Sequence, residues 1–332
     1  MTGQPCVLCS GTEFRFVVTG YDRMQARSDD FNYVRCLECG LLALARLPSP
    51  EQIPDLYPSD YLSFINSWKR DLDKPVNRLA IKYLYGVDSV SRPRLARAIF
   101  RLLSARIMPG IQEPHGANRL LDVGCGAGEL LEVYRRLGWD TCGIEISPQG
   151  AAACREKGLA VHQGTVFDAP FRTQRFDLIL LSHVIEHVLD PVAVLRRVGE
   201  LLAPQGKIVL TTPNGRGLGF FIYGSCWFHL DAPRHVFLFD ANTLRLLAAR
   251  AGVAVSRVVT QSSSQTLAES RHYARTQGRQ FPRSLADRQA LLRESARRRR
   301  PHRVYRDLVS PLTYLSSLFG KGDILEVELR AL

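Results

Sequence analysis

Four cysteines near the start of the chain have the spacing of a metal site. Cys6 and Cys9 form one C-x2-C pair, Cys36 and Cys39 form a second, and 26 residues separate the two pairs. Each pair places two thiolates on one tight turn, and two such turns complete a tetrahedral zinc site. A redox dithiol or unrelated buried thiols are the alternatives, but a redox pair usually opens a helix of a βαβ unit, which is not readable here. We therefore predict a structural zinc that supports folding or substrate presentation.

A glycine-rich turn is the second feature with chemical meaning. In the stretch LLDVGCGAGELLEVYRRLGWDTCGIEIS, residues 120–147, apolar patterning predicts a strand at 119–123, a helix at 127–137 and a second strand at 141–146. A dinucleotide site needs the pattern G-x-G-x-x-G, whereas Glu129 occupies the place of the last glycine. A carboxylate at that helix N-terminus repels a diphosphate, so the turn predicts a cofactor without phosphates.

The sequence D-V-G-C-G-x-G after an apolar strand, with an acidic residue ending the next strand, resembles motif I of class I S-adenosylmethionine-dependent methyltransferases. The resemblance implies that the glycines approach the methionine part of the cofactor and that Glu145 accepts hydrogen bonds from both ribose hydroxyls. It also implies an adenine contact within 162–171, where this chain has Gly164-Thr165 in place of the usual acidic residue, so that Asp168 is an alternative contact. The predicted cofactor residues are Asp122, Gly124, Cys125, Gly126, Gly128, Glu145, Ile146, Thr165, Val166 and Ser182.

Three histidines are predicted near the reacting groups. Methyl transfer from a sulfonium is an in-line displacement, so the enzyme must align the acceptor and remove its proton. A neutral histidine is a suitable base near pH 7, and the loops after the fourth and fifth strands, at the carboxyl ends of the sheet, carry His183, His187 and His235. These three are the predicted catalytic residues.

Other roles for these residues stay open. If the segment after Ser182 is helical, His183, Glu186 and His187 share one face, which suits a divalent metal or a hydrogen-bonded helix start. The segment resembles quinone-pathway and RNA-end methyltransferases that hold a metal there with Glu/Glu/His, although His183 replaces the first glutamate. Arg234 either binds an anionic substrate group beside His235 or caps an element.

Aromatic side chains are predicted to pack, with an acceptor pocket as the alternative. They are Tyr57, Tyr61, Phe220, Phe221, Tyr223, Trp227 and Phe228.

The remaining patterning predicts an α/β fold, a Rossmann-like seven-stranded methyltransferase sheet with an N-terminal zinc-binding module and a helical insertion before the last strand. Further predicted elements are a fourth strand within 175–191, a fifth at 206–214, helices at 190–203 and 242–251, a strand at 253–259, and an antiparallel last strand at 323–330. The predicted units are a zinc-binding module (1–45), a helical linker and substrate-side segment (46–115), the cofactor-binding domain (116–262), an Arg-rich helical insertion (263–321) and the last strand (322–332).

The net charge of +12 is concentrated late in the chain: residues 271–306 hold twelve arginines against Asp287 and Glu294. The segment also contains two apolar-periodic stretches, the second interrupted by Pro311. This combination of positive charge and apolar spacing would fit a solvated helix pair. It would also fit a segment that binds an acidic acceptor or a membrane surface. Nucleic acid is not favoured, because no RNA- or DNA-binding module accompanies the arginines.

The N-terminus lacks the pattern of a secretory leader, and no apolar run approaches the roughly 18 residues that span a bilayer. We therefore expect a cytoplasmic protein without a transmembrane segment, with peripheral contact at the inner face of the membrane as an alternative.

The zinc pattern, YPSDYLSF and DAPRHVFLFDANTLRLLAARAG are similar to bacterial methyltransferases of polysaccharide, sugar and secondary-metabolite pathways. The resemblance implies O-methylation of a sugar hydroxyl in a glycan, nucleotide sugar or glycosylated metabolite, with a lipid-linked or nucleotide-linked acceptor. An RNA or tRNA methyltransferase and a non-catalytic binding protein that keeps the fold are the alternatives.

Overall fold

The computed structural model describes residues 4–23, 29–57, 116–278, 286–287, 290 and 303–332. Within this part of the chain the strands form two sheets, one of seven strands and one of four. The predicted linker is described only at its start, by a 3-10 turn at Pro50–Gln52 and helix α1 at Ile53–Leu56. Its remainder, including Tyr61, lies outside the described residues.

The seven-stranded sheet confirms the predicted fold class. Its strands are β4 (Arg119–Val123), β5 (Asp140–Glu145), β6 (Ala160–Gln163), β7 (Phe176–Ser182), β8 (Leu202–Pro213), β10 (Val253–Gln261) and β11 (Ile324–Ala331). Their order is β10-β11-β8-β7-β4-β5-β6. Strand β11 lies between β8 and β10 and is antiparallel to both, as predicted for the last strand, whereas β4 to β8 are parallel. Because β4 and β7 are neighbours, the loops that follow them leave the same edge of the sheet.

Helices connect the strands, and those at 129–136, 191–200 and 241–251 have bounds close to the predicted ones. The connecting helices are α2 (Glu129–Arg136), α3 (Pro148–Glu156), α4 (Pro191–Glu200), α5 (Leu218–Tyr223) and α6 (Ala241–Ala251). The two ends of helix α6 are set by residues that lie next to them in the sequence. The Asp240 carboxylate accepts from the amides of Asn242 and Thr243 at its start, and Gly252 at its end has φ 78°, a left-handed conformation that favours glycine.

The four-stranded sheet joins the N-terminal segment to the rest of the molecule. Strands β1 (Phe14–Tyr21), β2 (Asp30–Cys36) and β3 (Leu42–Leu44) form a meander, and its fourth strand is β9 (Phe237–Leu238), from the long connection after β8. The buried Tyr33 hydroxyl on β2 also donates to the His235 carbonyl oxygen at 2.7 Å. Hydrogen bonds therefore join the N-terminal module to the loop that carries His235, a predicted catalytic histidine.

The four predicted metal ligands converge at one end of this sheet. The sulfur atoms of Cys6 and Cys39 are 3.5 Å apart, as are those of Cys9 and Cys36, and all four lie within 4.8 Å of one another. A tetrahedral zinc with Zn–S bonds of about 2.3 Å places its sulfurs about 3.8 Å apart. The Gly11 amide also donates to the Cys9 sulfur at 3.4 Å. This donor set fits the predicted zinc.

Two helices precede β11 where the insertion was predicted, α7 (Ser264–Thr276) and α8 (Arg303–Leu318). The predicted interruption at Pro311 is wrong, because α8 runs through this residue. Proline removes one hydrogen bond from a helix interior, but α8 also packs against α7 and β10. Most of the apolar-periodic stretch at 285–296 and the run Arg297–Arg300 lie outside the described residues. In the part of the chain that is described, no helix has the length and apolar character needed to span a bilayer.

The cysteine cluster generates a prediction about stability. We expect about one zinc per purified chain by elemental analysis, and a thermal unfolding midpoint about 5 °C lower or more after Cys36→Ser, because metal binding stabilises only the folded site. The control is Cys142→Ser, since Cys142 is a partly buried thiol outside the cluster. Full stability of a metal-free protein would contradict the assignment.

Candidate active site

The glycine turn after β4 adopts a conformation that only glycine adopts readily. Gly124, Gly126 and Gly128 have φ of 73°, 56° and 79°. Space is also restricted, because a Cβ atom on Gly124 would lie 2.6 Å from Cγ2 of Val184, and one on Gly128 would lie 2.5 Å from Cδ1 of Leu159. The turn after β4 is therefore packed directly against the turn after β7.

The Glu145 carboxylate at the end of β5 holds this turn in place. One oxygen accepts from the Gly126 amide at 2.7 Å and the other accepts from the Ser147 amide at 2.7 Å. Burial raises the pKa of Glu145, while the hydrogen bonds from Ser147 and Gly126 oppose that rise. Each carboxylate oxygen retains a further lone pair, which leaves acceptor capacity for two hydroxyl groups of a ligand.

Asp122 lies beneath the turn and is buried. Its Oδ1 atom has no hydrogen-bond partner among the described residues. Burial, with the nearby Glu145, Cys154 and Glu129, raises the pKa of Asp122 well above its usual range. A buried polar atom without a partner is costly, so this oxygen is a site where a ligand donor would be favourable.

The other predicted cofactor residues occupy different environments. Ile146 is exposed beyond Glu145, and Ser182 is partly buried at the end of β7, where its hydroxyl accepts from Thr211 at 3.3 Å. Thr165 donates its amide to the Asp168 carboxylate at 2.6 Å, and the hydrogen bonds from Thr165 lower the pKa of Asp168 to about 2. Val166 is buried in the core.

Cys125 is also buried, and its sulfur lies 3.9 Å from that of Cys154. The Cys125 side chain therefore packs into the protein beneath the glycine turn.

His183 is the predicted catalytic residue that faces solvent. The segment after Ser182 is a turn and not a helix, and His183 has φ 55°, a strained conformation for a residue with a Cβ. Its side chain is 37% exposed, and its Nδ1 atom lies 3.0 Å from Oε1 of Glu186. A proton on Nδ1 donated to that carboxylate leaves Nε2 as the basic nitrogen.

The Glu186 carboxylate is fully buried yet remains ionised. Its second oxygen accepts from the Thr212 hydroxyl on β8 at 2.9 Å. Burial alone would raise its pKa, but the hydrogen bond from His183 and the charges of His183, His187 and His235 lower the pKa of Glu186 to about 2. The carboxylate can therefore orient His183 and stabilise its protonated form.

His187 and His235 lie deeper and have their Nδ1 atoms occupied. Nδ1 of His187 is 3.1 Å from the Arg234 carbonyl oxygen, and Nδ1 of His235 is 2.8 Å from that of His229. Their ring centroids are 4.7 Å apart. Burial and the charge of His235 lower the pKa of His187 to about 4. Both rings are thus oriented by backbone carbonyls.

One set of side chains here has the composition of a metal site. Ligand atoms of Glu186, His187 and His235 all lie within 4.8 Å of one another. The set differs from the predicted combination of His183, Glu186 and His187, because His235 takes the place of His183. Imidazoles whose other nitrogen donates to a carbonyl are typical of metal ligands.

Two residues of this cluster were not predicted from the sequence. Tyr57, predicted to pack with an acceptor pocket as the alternative, places its hydroxyl 2.7 Å from Nδ1 of His187. His229 stacks on His183 with centroids 6.0 Å apart, and its Nε2 lies 3.1 Å from the Thr266 hydroxyl on α7. Burial, followed by the charges of His183 and His235, lowers the pKa of His229 to about 3. The only available signal for His229 was its position in the loop that leads to His235.

Arg234 does not lie at a pocket mouth. It is fully buried, and its Nη2 atom lies 3.1 Å from Oδ1 of Asp22 and 2.6 Å from Oδ1 of Asp231. The prediction that it binds an anionic substrate group is therefore wrong, since burying a guanidinium requires partners of the protein's own. Its ion pairs join the N-terminal segment to the histidine loop.

The sequence of this chain is similar to those of known methyltransferases. A family profile described as a methyltransferase domain matches residues 91–258, half of the chain. A ubiquinone biosynthesis O-methyltransferase of Cereibacter sphaeroides (strain ATCC 17025 / ATH 2.4.3) is 37% identical over 122 residues, 34% of this chain and 49% of that protein. One of Xanthomonas axonopodis pv. citri (strain 306) is 36% identical over 139 residues, 39% of this chain and 56% of that protein.

The chain thus spans about half the length of the curated relatives it matches. Among solved structures, an S-adenosylmethionine-dependent methyltransferase from Mesorhizobium loti is 17% identical with a TM-score of 0.42, over 70% of this chain and 97% of that one.

The histidine cluster predicts acid sensitivity. The pKa values of His187 and His229, lowered from 6.5 to about 4 and about 3, mean that between pH 6.5 and 4.5 the unfolded chain binds protons that the folded chain does not. Stability is therefore lost as the pH falls, by up to about 1.4 kcal/mol per pH unit for each histidine.

The measurement is the unfolding midpoint across this pH range for the native sequence and for His229→Gln. The unfolding midpoint of each protein at pH 7.5 serves as its own baseline. The midpoint of the variant is expected to fall less than that of the native sequence as the pH is lowered. Equal slopes for the two proteins would contradict the assignment of His229 as a buried neutral group.

Proposed function

The chain belongs to the methyltransferase-domain family, and we propose that it transfers the methyl group of S-adenosylmethionine to a hydroxyl group. The observation that carries this proposal is the contact between the two turns at one edge of the sheet. Val184, the neighbour of the candidate base His183, packs against Gly124 of the glycine turn. A ligand cradled by that turn would lie beside the base.

The residues of the glycine turn fit S-adenosylmethionine. Glu145 offers acceptor capacity for two ribose hydroxyls, Asp122 offers an uncommitted buried oxygen, and the exposed Ile146 offers an apolar surface next to Glu145. When bound, this cofactor supplies an electrophilic methyl group on a sulfonium. The negative charges of Glu145 and Glu129 disfavour a diphosphate at the same place.

His183 would act on the acceptor. Its Nε2 atom would take the proton of the acceptor hydroxyl, and the adjacent Glu186 carboxylate would stabilise the imidazolium that forms. The His229 ring stacks on the His183 ring, and this contact would restrict the rotation of the His183 side chain. The remaining histidines, His187 and His235, would support the loop or hold a divalent metal with Glu186.

For the acceptor we propose a sugar hydroxyl of a glycan, nucleotide sugar or glycosylated metabolite. This proposal rests on the sequence resemblance to sugar-pathway methyltransferases. A second candidate is the hydroxyl of a quinone precursor, favoured by the names of the relatives from Cereibacter sphaeroides and Xanthomonas axonopodis. Both candidates are oxygen acceptors and require the same proton removal.

Glu145→Gln is expected to weaken S-adenosylmethionine binding about 10- to 100-fold, because hydrogen bonds to a charged group contribute roughly 1.5–3 kcal/mol. Calorimetric titration measures this, with NAD as a ligand that should not bind. Glu129→Gln, an acidic residue at the start of α2, is the matched control and should retain affinity. Unchanged affinity of Glu145→Gln would remove Glu145 from the cofactor site.

His183→Asn is expected to lower turnover about 10²- to 10⁴-fold while cofactor affinity stays unchanged. Asparagine suits this test because it tolerates the positive φ of His183. Formation of S-adenosylhomocysteine would be followed with nucleotide sugars and with catechols, which separates the two acceptor classes. Full turnover of the variant would show that another group removes the proton.

A further inference from the structure

Helix α8 turns its apolar side to solvent. Five large apolar residues between positions 308 and 319 are 49 to 79% exposed. They are Leu308, Leu312, Leu315, Leu318 and Phe319, and we call this set the apolar face of α8. Leu308, Leu312, Leu315 and Phe319 follow the i, i+4, i+7, i+11 spacing that aligns side chains along one stripe of a helix.

A neighbouring side of α8 faces the protein and includes buried polar residues. Thr313 and Ser316 are buried, the Ser316 hydroxyl lies 3.0 Å from that of Ser262, and the Thr260 hydroxyl donates to the Ser317 carbonyl oxygen at 2.8 Å. A helix that packs on a domain for stability normally buries its apolar stripe. Here the two buried residues are small and polar, and the leucines at 308, 312, 315 and 318 are 49 to 73% exposed.

The chain around the apolar face is strongly basic. Residues 297–321 hold seven lysines and arginines against one acidic residue, Asp307. Lys321, just beyond the end of α8, is exposed. Helix α5 lies next to α8, since the Tyr223 and Tyr305 hydroxyls are 3.0 Å apart, and it adds the exposed apolar residues Phe221 and Ile222.

We propose that the apolar face of α8 binds the surface of a bilayer that contains anionic lipids. An exposed stripe of leucine and phenylalanine within a strongly basic stretch of sequence matches the composition of helices that lie in the membrane interface. The apolar side chains enter the acyl boundary, while lysines and arginines contact lipid phosphates, each contributing about 1 kcal/mol near such a surface.

Charge argues against two other occupants. A second copy of the chain would bring two basic segments together and would be opposed by repulsion. The stretch 58–115 of the same chain carries ten lysines and arginines against five acidic residues, so its charge has the same sign as that around α8. An anionic lipid surface has the opposite sign.

This binding is independent of the proposed methyl transfer. It involves neither the glycine turn nor the histidine cluster, so cofactor titration distinguishes the failure of one proposal from the failure of the other. It would hold the protein where acceptors attached to lipids are found.

The test is sedimentation of the full chain with vesicles of phosphatidylcholine alone and of phosphatidylcholine mixed with phosphatidylglycerol. The native sequence should bind the anionic vesicles, and the double variant Leu312→Glu and Leu315→Glu should lose apparent affinity about tenfold or more. Phe16→Glu is the matched control, since Phe16 is an exposed apolar residue on β1 of the other sheet, and it should bind as the native sequence does.

Thermal unfolding and calorimetric titration with S-adenosylmethionine should show that the variants fold. No binding of the native sequence to anionic vesicles, or equal binding by the double variant, would overturn the proposal. A concentration-dependent dimer by light scattering that the double variant abolishes would also overturn it, in favour of a second copy as the occupant.

Discussion

The carboxylate of Glu186 is buried without solvent contact, and burying a charge is tolerated only when partners surround it. Its two oxygens engage His183 and Thr212. Its backbone carbonyl oxygen accepts from the amides of Val236 and Phe237 at 2.9 and 3.2 Å. One residue in a turn after β7 thus connects the candidate base, the neighbouring strand β8, and the start of β9.

Strand β9 links the surroundings of the buried Glu186 carboxylate to the N-terminal sheet. Leu42 on β3 pairs with Leu238, and the Leu44 amide donates to the Val236 carbonyl oxygen at 3.0 Å. The buried ion pair between Arg234 and Asp22 adds a second connection to the same loop. The connection after β8, which includes α5, is therefore held by the turn after β7 and by the N-terminal sheet, and these contacts position His229 and His235.

Local patterns were sufficient for most strands of the seven-stranded sheet and for the glycine turn, whereas the strands of the N-terminal sheet were not predicted. The strand at 119–123 was predicted with its observed bounds, because a short apolar run followed by Gly124 has few other interpretations. The four cysteines were also predicted, since their spacing alone implies two tight turns. Contacts between distant residues were not readable: Tyr57 meets His187 across 130 positions, and Asp22 meets Arg234 across 212. Such pairs depend on how the sheets pack, which no spacing rule encodes.

The shared strand β9 has a thermodynamic consequence. Two sites whose folding depends on one element are coupled, and such coupling acts equally in both directions. Metal held by the cysteines would favour the ordered histidine loop, and an acceptor bound at that loop would in turn raise the equilibrium affinity of the cysteines for the metal. The N-terminal module would then behave as a regulatory partner of catalysis and not as a detachable appendage.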